Sequence, residues 1–281
     1  MCEFCVKHGE GEKWYLQAKN YSEDLLSDIR RRRYIEEFVS GLDGMIQANR
    51  RLEMFGKTPR LIRHIVGRIV TRSMKRNHFG QVVPIEEIEK IFGFVNSIIR
   101  IACVCRQVTL GKEKRYCYAV SMGPDGGEVV KIMRGVDKSY INGPDAAENE
   151  RLTKDEAMTA FHEHEREGLC HTVWTMQTPF IAAICNCDRS DCLAMRSTVT
   201  HALSVMFRAE YVAEIFSQAC VGCRSCVSVC QFGAIAYSAS TKKAIIDQRW
   251  CYGCGLCRSI CKTKAIRLEA RANVPIAAKL W

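Results

Sequence analysis

Two runs of four cysteines carry the most specific chemistry in the chain. Cys220, Cys223, Cys226 and Cys230 form C-x-x-C-x-x-C-x-x-x-C, and Cys251, Cys254, Cys257 and Cys261 repeat it 31 residues later. The repeat runs past the thiols, because Ala234-Ile235 returns as Ala265-Ile266, which predicts two equivalent half-modules. Three closely spaced thiolates followed by a fourth can wrap an iron–sulfur cube, each sulfur binding one iron. Zinc also accepts C-x-x-C pairs, but four cysteines in this run are not zinc spacing. Gly222, Gly253 and Gly255 suit loops whose N–H groups must approach sulfur closely.

Over about residues 210–270 the chain resembles bacterial-type dicluster ferredoxins. The resemblance implies a pseudo-twofold β/α unit for electron transfer with two 4Fe-4S clusters, the fourth cysteine of each run binding the other run's cluster. Cys220, Cys223, Cys226 and Cys261 would hold one cluster, and Cys251, Cys254, Cys257 and Cys230 the other. That family usually has proline after the fourth cysteine, whereas Gln231 and Lys262 stand here. The turns should be less constrained without the rings, and Lys262 should favour the more negative, reduced cluster.

A second constellation lies in the middle of the chain. Cys103 and Cys105 form one C-x-C pair, and Cys185, Cys187 and Cys192 a second short group. A C-x-C pair on a strand points both thiols to one face, so the two groups are candidates for a third cluster or another soft metal. Cys117 and Cys170, isolated among apolar or aromatic neighbours, read as ordinary core cysteines. His162 and His164, beside acidic residues, read as solvated, and His171 is a further candidate ligand. At the start of the chain Cys2, Cys5 and His8 could supply three of four ligands to a metal, the alternative being a frayed terminus with idle thiols.

The middle region is also similar to a group of 4Fe-4S dicluster proteins of anaerobic bacteria and archaea. In that group C-x-C-R, a helix ending in Gly-Leu-x-His, and I-C-N-C precede the ferredoxin module. The matching residues are Cys103 to Arg106, Gly168 to His171 and Ile184 to Cys187. Members often continue I-C-N-C with further cysteines where this chain has Asp188, which leaves the ligand set open.

These groups need elements to position them, and the pattern is that of an α+β protein. Residues 1–80 read as a helical region, 81–209 as a mixed domain carrying the middle cysteines, 210–270 as the dicluster unit and 271–281 as a tail. Thr58-Pro59 should open a helix whose pairs Leu61-Ile62, Ile65-Val66 and Ile69-Val70 make one stripe packed on the core. Lys57 to Arg76 holds seven lysines and arginines and no acid, so an acidic docking partner is the functional alternative for this helix. Thr153-x-x-Glu156 should begin a helix that Gly168 ends, and residues 142–145 read as a turn.

Composition narrows the function. The formal net charge is +10, falling to about +6 once two clusters with their thiolates are counted. A basic electron carrier points to a redox partner with an acidic surface, within a larger oxidoreductase assembly. No run is long enough for a membrane span, and residues 1–20 show no secretory leader, so the 17 cysteines read as reduced thiols of a cytoplasmic protein. Nicotinamide, flavin and nucleotide motifs are absent. An electron-transfer protein is therefore expected. The alternatives are an oxidoreductase whose third site is catalytic, and a redox-sensing nucleic-acid binder, the latter disfavoured.

Overall fold

The computed structural model describes residues 2–112, 114–135 and 150–281; the turn expected at 142–145 lies outside them. The α+β class is the one observed. Its centre is a sheet of order β4-β2-β3-β6-β5-β1-β7, built from β1 (Gly80–Val82), β2 (Ser97–Ile101), β3 (Cys117–Ser121), β4 (Glu150–Leu152), β5 (Cys170–Thr175), β6 (Ile181–Cys187) and β7 (Met206–Phe207). Neighbours run antiparallel except β1 and β7.

Strand alternation sorts the side chains between two cores. Tyr118, Val173 and Ile184 face one side. There they meet α1 (Glu3–His8), α5 (Ile85–Phe94) and α8 (Lys154–Arg166) through Phe4, Ile88, Ile91 and Phe161. Cys170, Trp174 and Cys187 face the other. On that side Ala182 also meets α2 (Ile29–Ser40) and α7 (Gly127–Gly135). Trp281 returns to the first core, stacked 4.7 Å from Phe207 and tilted 4.7 Å from Phe4.

Local signals hold where a side chain closes its own turn. The α8 capping box is complete: Thr153 Oγ1 accepts from Glu156 N–H at 3.3 Å, and the Glu156 carboxylate accepts from Thr153 N–H at 2.8 Å. Gly168 follows at φ +83°.

The basic helix departs from expectation. It is α4 (Arg60–Asn77), capped by Pro59, because the Thr58 hydroxyl donates to Phe55 O at 2.8 Å, at the end of α3 (Leu42–Phe55). Leu61, Ile65 and Ile69 stand 73%, 54% and 65% exposed, so the stripe faces outward. The helix approaches the body through Gly67, where an added Cβ would lie 3.4 Å from Ala202 O, and through Val70 and Met74, which pack on the second core.

His164 is another correction, being buried rather than solvated, with Nε2 2.7 Å from the Tyr118 hydroxyl. Burial lowers it to about 4, and lowers His78 likewise, with His78 Nδ1 2.6 Å from Thr175 O. Unfolded histidine titrates near 6.5, so between about pH 6.5 and 4 the unfolded chain binds the extra protons. Their contribution is fully present above about pH 6.5 and is lost as pH falls toward 4. Urea unfolding should show a loss of about 2 kcal/mol per histidine at pH 5 relative to pH 7. The slope should flatten in His78→Phe, an aromatic replacement for a ring set between Phe38 and Trp174.

Candidate metal centres

The C-terminal module consists of two antiparallel pairs, β8 (Tyr211–Ile215) with β11 (Ile266–Ala270) and β9 (Ile235–Ser238) with β10 (Lys243–Ile246). Helical turns α10 (Ser225–Ser228) and α11 (Leu256–Ser259) follow the cysteine loops. The sequence repeat is also a structural one. Gly222 and Gly253 both have positive φ, and a Cβ would come 2.1 Å from Lys242 O and Tyr211 O respectively, which are themselves one repeat apart. Ala234 and Ala265 each donate N–H to the sulfur four residues earlier, Cys230 and Cys261, at 3.3 Å. The recurring alanines thus place a donor on the last thiol of each run.

The runs interleave. Burial raises the Cys226 thiol, helped by the charges of Cys220, Cys223 and Cys261. Burial likewise raises Cys257, helped by Cys254, Cys251 and Cys230. Cys226 of the first run also acts on Cys257, so the thiols of the two runs lie close enough to feel one another's charge. The surrounding core is largely alanine, isoleucine and cysteine, including Ala213, Ala234, Ala244, Ile235 and Ile266. So small an apolar core needs a staple to hold it, and eight thiols with N–H donors aimed at sulfur fit iron–sulfur clusters in that role.

The residues in the proline positions have separate tasks. Gln231 donates to Gly168 O at 2.8 Å and accepts from Arg189 N–H at 3.0 Å, so this turn is tied to the central domain rather than loosened. Cys223 is lowered chiefly by hydrogen bonds from Ser225, with the Lys262 ammonium adding to the effect.

The middle cysteines converge on a cavity of about 260 Å³ lined by Cys103, Cys105, Cys117, Cys185, Cys187 and Cys192. Cys185 and Cys187 share one face of β6 as expected. Cys103 and Cys105 reach the cavity differently. β2 ends at Ile101, Cys103 caps α6 (Val104–Leu110), and Cys105 lies in that helix's first turn. Cys192 caps α9 (Leu193–Met195). Cys117, read from sequence as a core residue, joins the array because it sits directly opposite Cys185 in the sheet.

Hydrogen bonds from Cys105 and Cys187 drive the Cys192 thiol well below the usual range. One from Cys117 lowers Cys103. Beside them Arg106, 1% exposed, pairs with Asp188 and donates to Asn186 O at 3.1 Å and to the Cys103 sulfur at 3.7 Å. Burial works to lower the Arg106 pKa, but Cys103, Asp188, Cys187 and Cys192 outweigh it and raise it. Asp188 is here the counter-ion of Arg106. His171 points to the opposite face of β5, with Nδ1 2.6 Å from Asn186 Oδ1 and its ring 5.2 Å from Phe161, away from the thiols.

Residues 219–265 match the family model of the 4Fe-4S dicluster domain. The C-terminal module is a 4Fe-4S dicluster domain. No curated protein matches the chain.

The dicluster domain meets the six-thiol cavity through Cys170, the second cysteine that sequence reasoning left in the core. It is fully buried, pairs with Cys187 across β5 and β6, and its thiol hydrogen-bonds to Cys254. Because directly paired residues share a face, Cys117, Cys185, Cys187 and Cys170 lie on one face of the sheet in two pairs, offset by two residues along β6, and the series ends at the domain. At the other end of the chain, Cys2 and Cys5 are buried and meet Glu210, the residue before β8. His8 stacks on Phe4 at 5.9 Å and is outside that group.

Proposed function

We propose that the chain is an electron-transfer protein in which the dicluster domain exchanges electrons with a third metal centre in the six-thiol cavity and with a partner oxidoreductase. Cys220, Cys223, Cys226 and Cys261 hold one cluster, and Cys251, Cys254, Cys257 and Cys230 the other. The clusters, when bound, supply one-electron transfer. The observation that carries this reading is the series of thiols from Cys117 to Cys170, which ends against Cys254. Arg106 offsets the charge of the cavity thiolates, and its ion pair keeps that offset in place.

The partner carries an acidic surface. Supporting this, α4 presents Leu61, Ile65 and Ile69 outward beside Arg68 and Arg72, an apolar ridge with basic flanks. Among the described residues no helix is long and apolar enough to cross a membrane. A catalytic third centre is the second reading, favoured by the apolar wall of the cavity, which includes Phe38, Val39 and Met176.

The test is metal content and paramagnetic resonance of the anaerobically purified chain against Cys117→Ser/Cys192→Ser. The cavity's share of the metal beyond that of the dicluster domain should be lost while the domain's own signals persist. Equal metal content in both proteins would remove the third centre. A spectral change on adding a candidate small substrate, confined to the intact cavity, would favour the catalytic reading.

A further inference from the structure

We infer that Cys2, Cys5 and Glu210 form a separate site for a single thiolate-binding divalent metal, of which zinc is the best match, joining the start of the chain to the dicluster domain. The ligand set differs from the one expected from sequence, with Glu210 in place of His8.

The geometry comes first. Cys2 and Cys5 sulfurs lie 3.1 Å apart, and the Cys5 sulfur lies 3.3 Å from Glu210 Oε1. All three ligand atoms fall within 4.8 Å of one another and all three residues are buried. Ligands about 2.0–2.3 Å from a shared tetrahedral zinc stand roughly 3.5–3.8 Å apart, so the two sulfurs would open by about 0.6–0.7 Å and the Cys5–Glu210 pair by about 0.2 Å. A disulfide would require about 2.05 Å between the sulfurs, and both thiols are free.

The second observation is an electrostatic gap. Among the described residues no lysine or arginine forms an ion pair with Glu210. Arg271, the nearby guanidinium, instead donates to Ala209 O and Tyr211 O at 2.8 Å and to Cys251 O at 3.0 Å. Lys13 and Lys75 are engaged by Glu87 and Glu3. The buried carboxylate beside two thiols thus feels the Arg271 charge only through space, with no direct ion pair, an arrangement that a bound cation would stabilise. Two thiolates and a carboxylate are a donor set that zinc accepts.

A third observation points to the remaining coordination position. Tyr15 is fully buried and, among the described residues, its hydroxyl has no hydrogen-bond partner. It lies within electrostatic reach of Cys5 and Glu210. A water completing a tetrahedral zinc would offer that hydroxyl a partner.

The consequence is mechanical. Glu210 immediately precedes β8, whose Ala213 N–H donates to the Cys251 sulfur at 3.3 Å. A metal held by residues 2, 5 and 210 would therefore pin the strand that contacts one ligand set of the domain.

The full chain, purified anaerobically with zinc in the medium, should carry about one zinc protected from mild chelation. Cys2→Ser/Cys5→Ser should lower this to below about 0.1 per chain, and Glu210→Gln should weaken retention about tenfold or more, with iron content unchanged. His8→Ala should keep the zinc. Independently of any variant, iodoacetamide should label Cys2 and Cys5 in the native chain only after chelator is added, as read by peptide mass spectrometry. Three results would overturn the site: unchanged zinc in the double-serine variant, zinc lost with His8→Ala but kept with Glu210→Gln, or labelling indifferent to chelator.

Discussion

Replacing Cys230 by serine should damage the centre built on Cys251, Cys254 and Cys257 and spare the one built on Cys220, Cys223 and Cys226. In sequence Cys230 belongs to the first run, but in space its thiol interacts with Cys254 and Cys257. The same crossing places Cys261 with Cys226. Because cluster binding and module folding are coupled, losing one ligand should cost roughly the whole cluster, about four irons per chain. Residues that serve one unit are strongly non-additive. Cys230→Ser/Cys257→Ser should therefore lose little more iron than Cys257→Ser alone, whereas Cys230→Ser/Cys226→Ser should lose about twice as much. Iron analysis with paramagnetic resonance of the reduced protein checks this. Non-additivity within the first run, Cys230 with Cys226, would show that the fourth ligands are not exchanged.

The second large effect is expected at Arg106. Arg106→Met should lower stability by about 3–5 kcal/mol, because it strands Asp188 without its cation. The guanidinium also donates to Asn186 O and sits 4.3 Å over the Tyr116 ring, so it links the start of α6 to the loop after β6 and to the edge of β3. Arg106→Lys should recover only part of the loss, since an ammonium cannot keep the fork or the stacking. Asp188 accepts from Ser190 Oγ at 2.7 Å and Asp191 N–H at 2.6 Å, and asparagine can keep those bonds. Arg106→Met/Asp188→Asn should therefore be more stable than Arg106→Met alone. Denaturant unfolding of the metal-free chains measures all four. A cost below about 1 kcal/mol for Arg106→Met would mean that the pair is effectively solvated.

The C-terminal unit was legible because its signal is local and repeated: four thiols per loop, the glycines that let backbones approach, and the alanines that donate to sulfur. The middle site was legible only in part. Alternation around Tyr118 and Val120 puts Cys117 on the opposite face, but its place opposite Cys185 depends on pairing between segments 68 residues apart. The same limit hid Cys170, whose neighbours Cys187 and Cys254 arrive through tertiary packing.

Cys103 and Cys105 show the converse, since the strand they were expected to occupy stops at Ile101, two residues before the first of them, and a helix turn still delivers both thiols to the cavity. Glu210 carried no motif at all and was found only by its approach to Cys5. For α4 the periodicity was right and the facing only in part, because Val70 and Met74 pack on the second core beside the close approach at Gly67 while Leu61, Ile65 and Ile69 face outward.

Anaerobic determination of iron, acid-labile sulfide and zinc per chain tests the central claim most directly. The expected result is about eight irons and eight sulfides from the dicluster domain, with further metal, over and above zinc held at Cys2 and Cys5, that disappears when the Cys117 and Cys192 thiols are removed. Zinc without sulfide at the eight C-terminal cysteines would contradict the iron–sulfur reading, and eight irons with nothing beyond them would contradict the third centre.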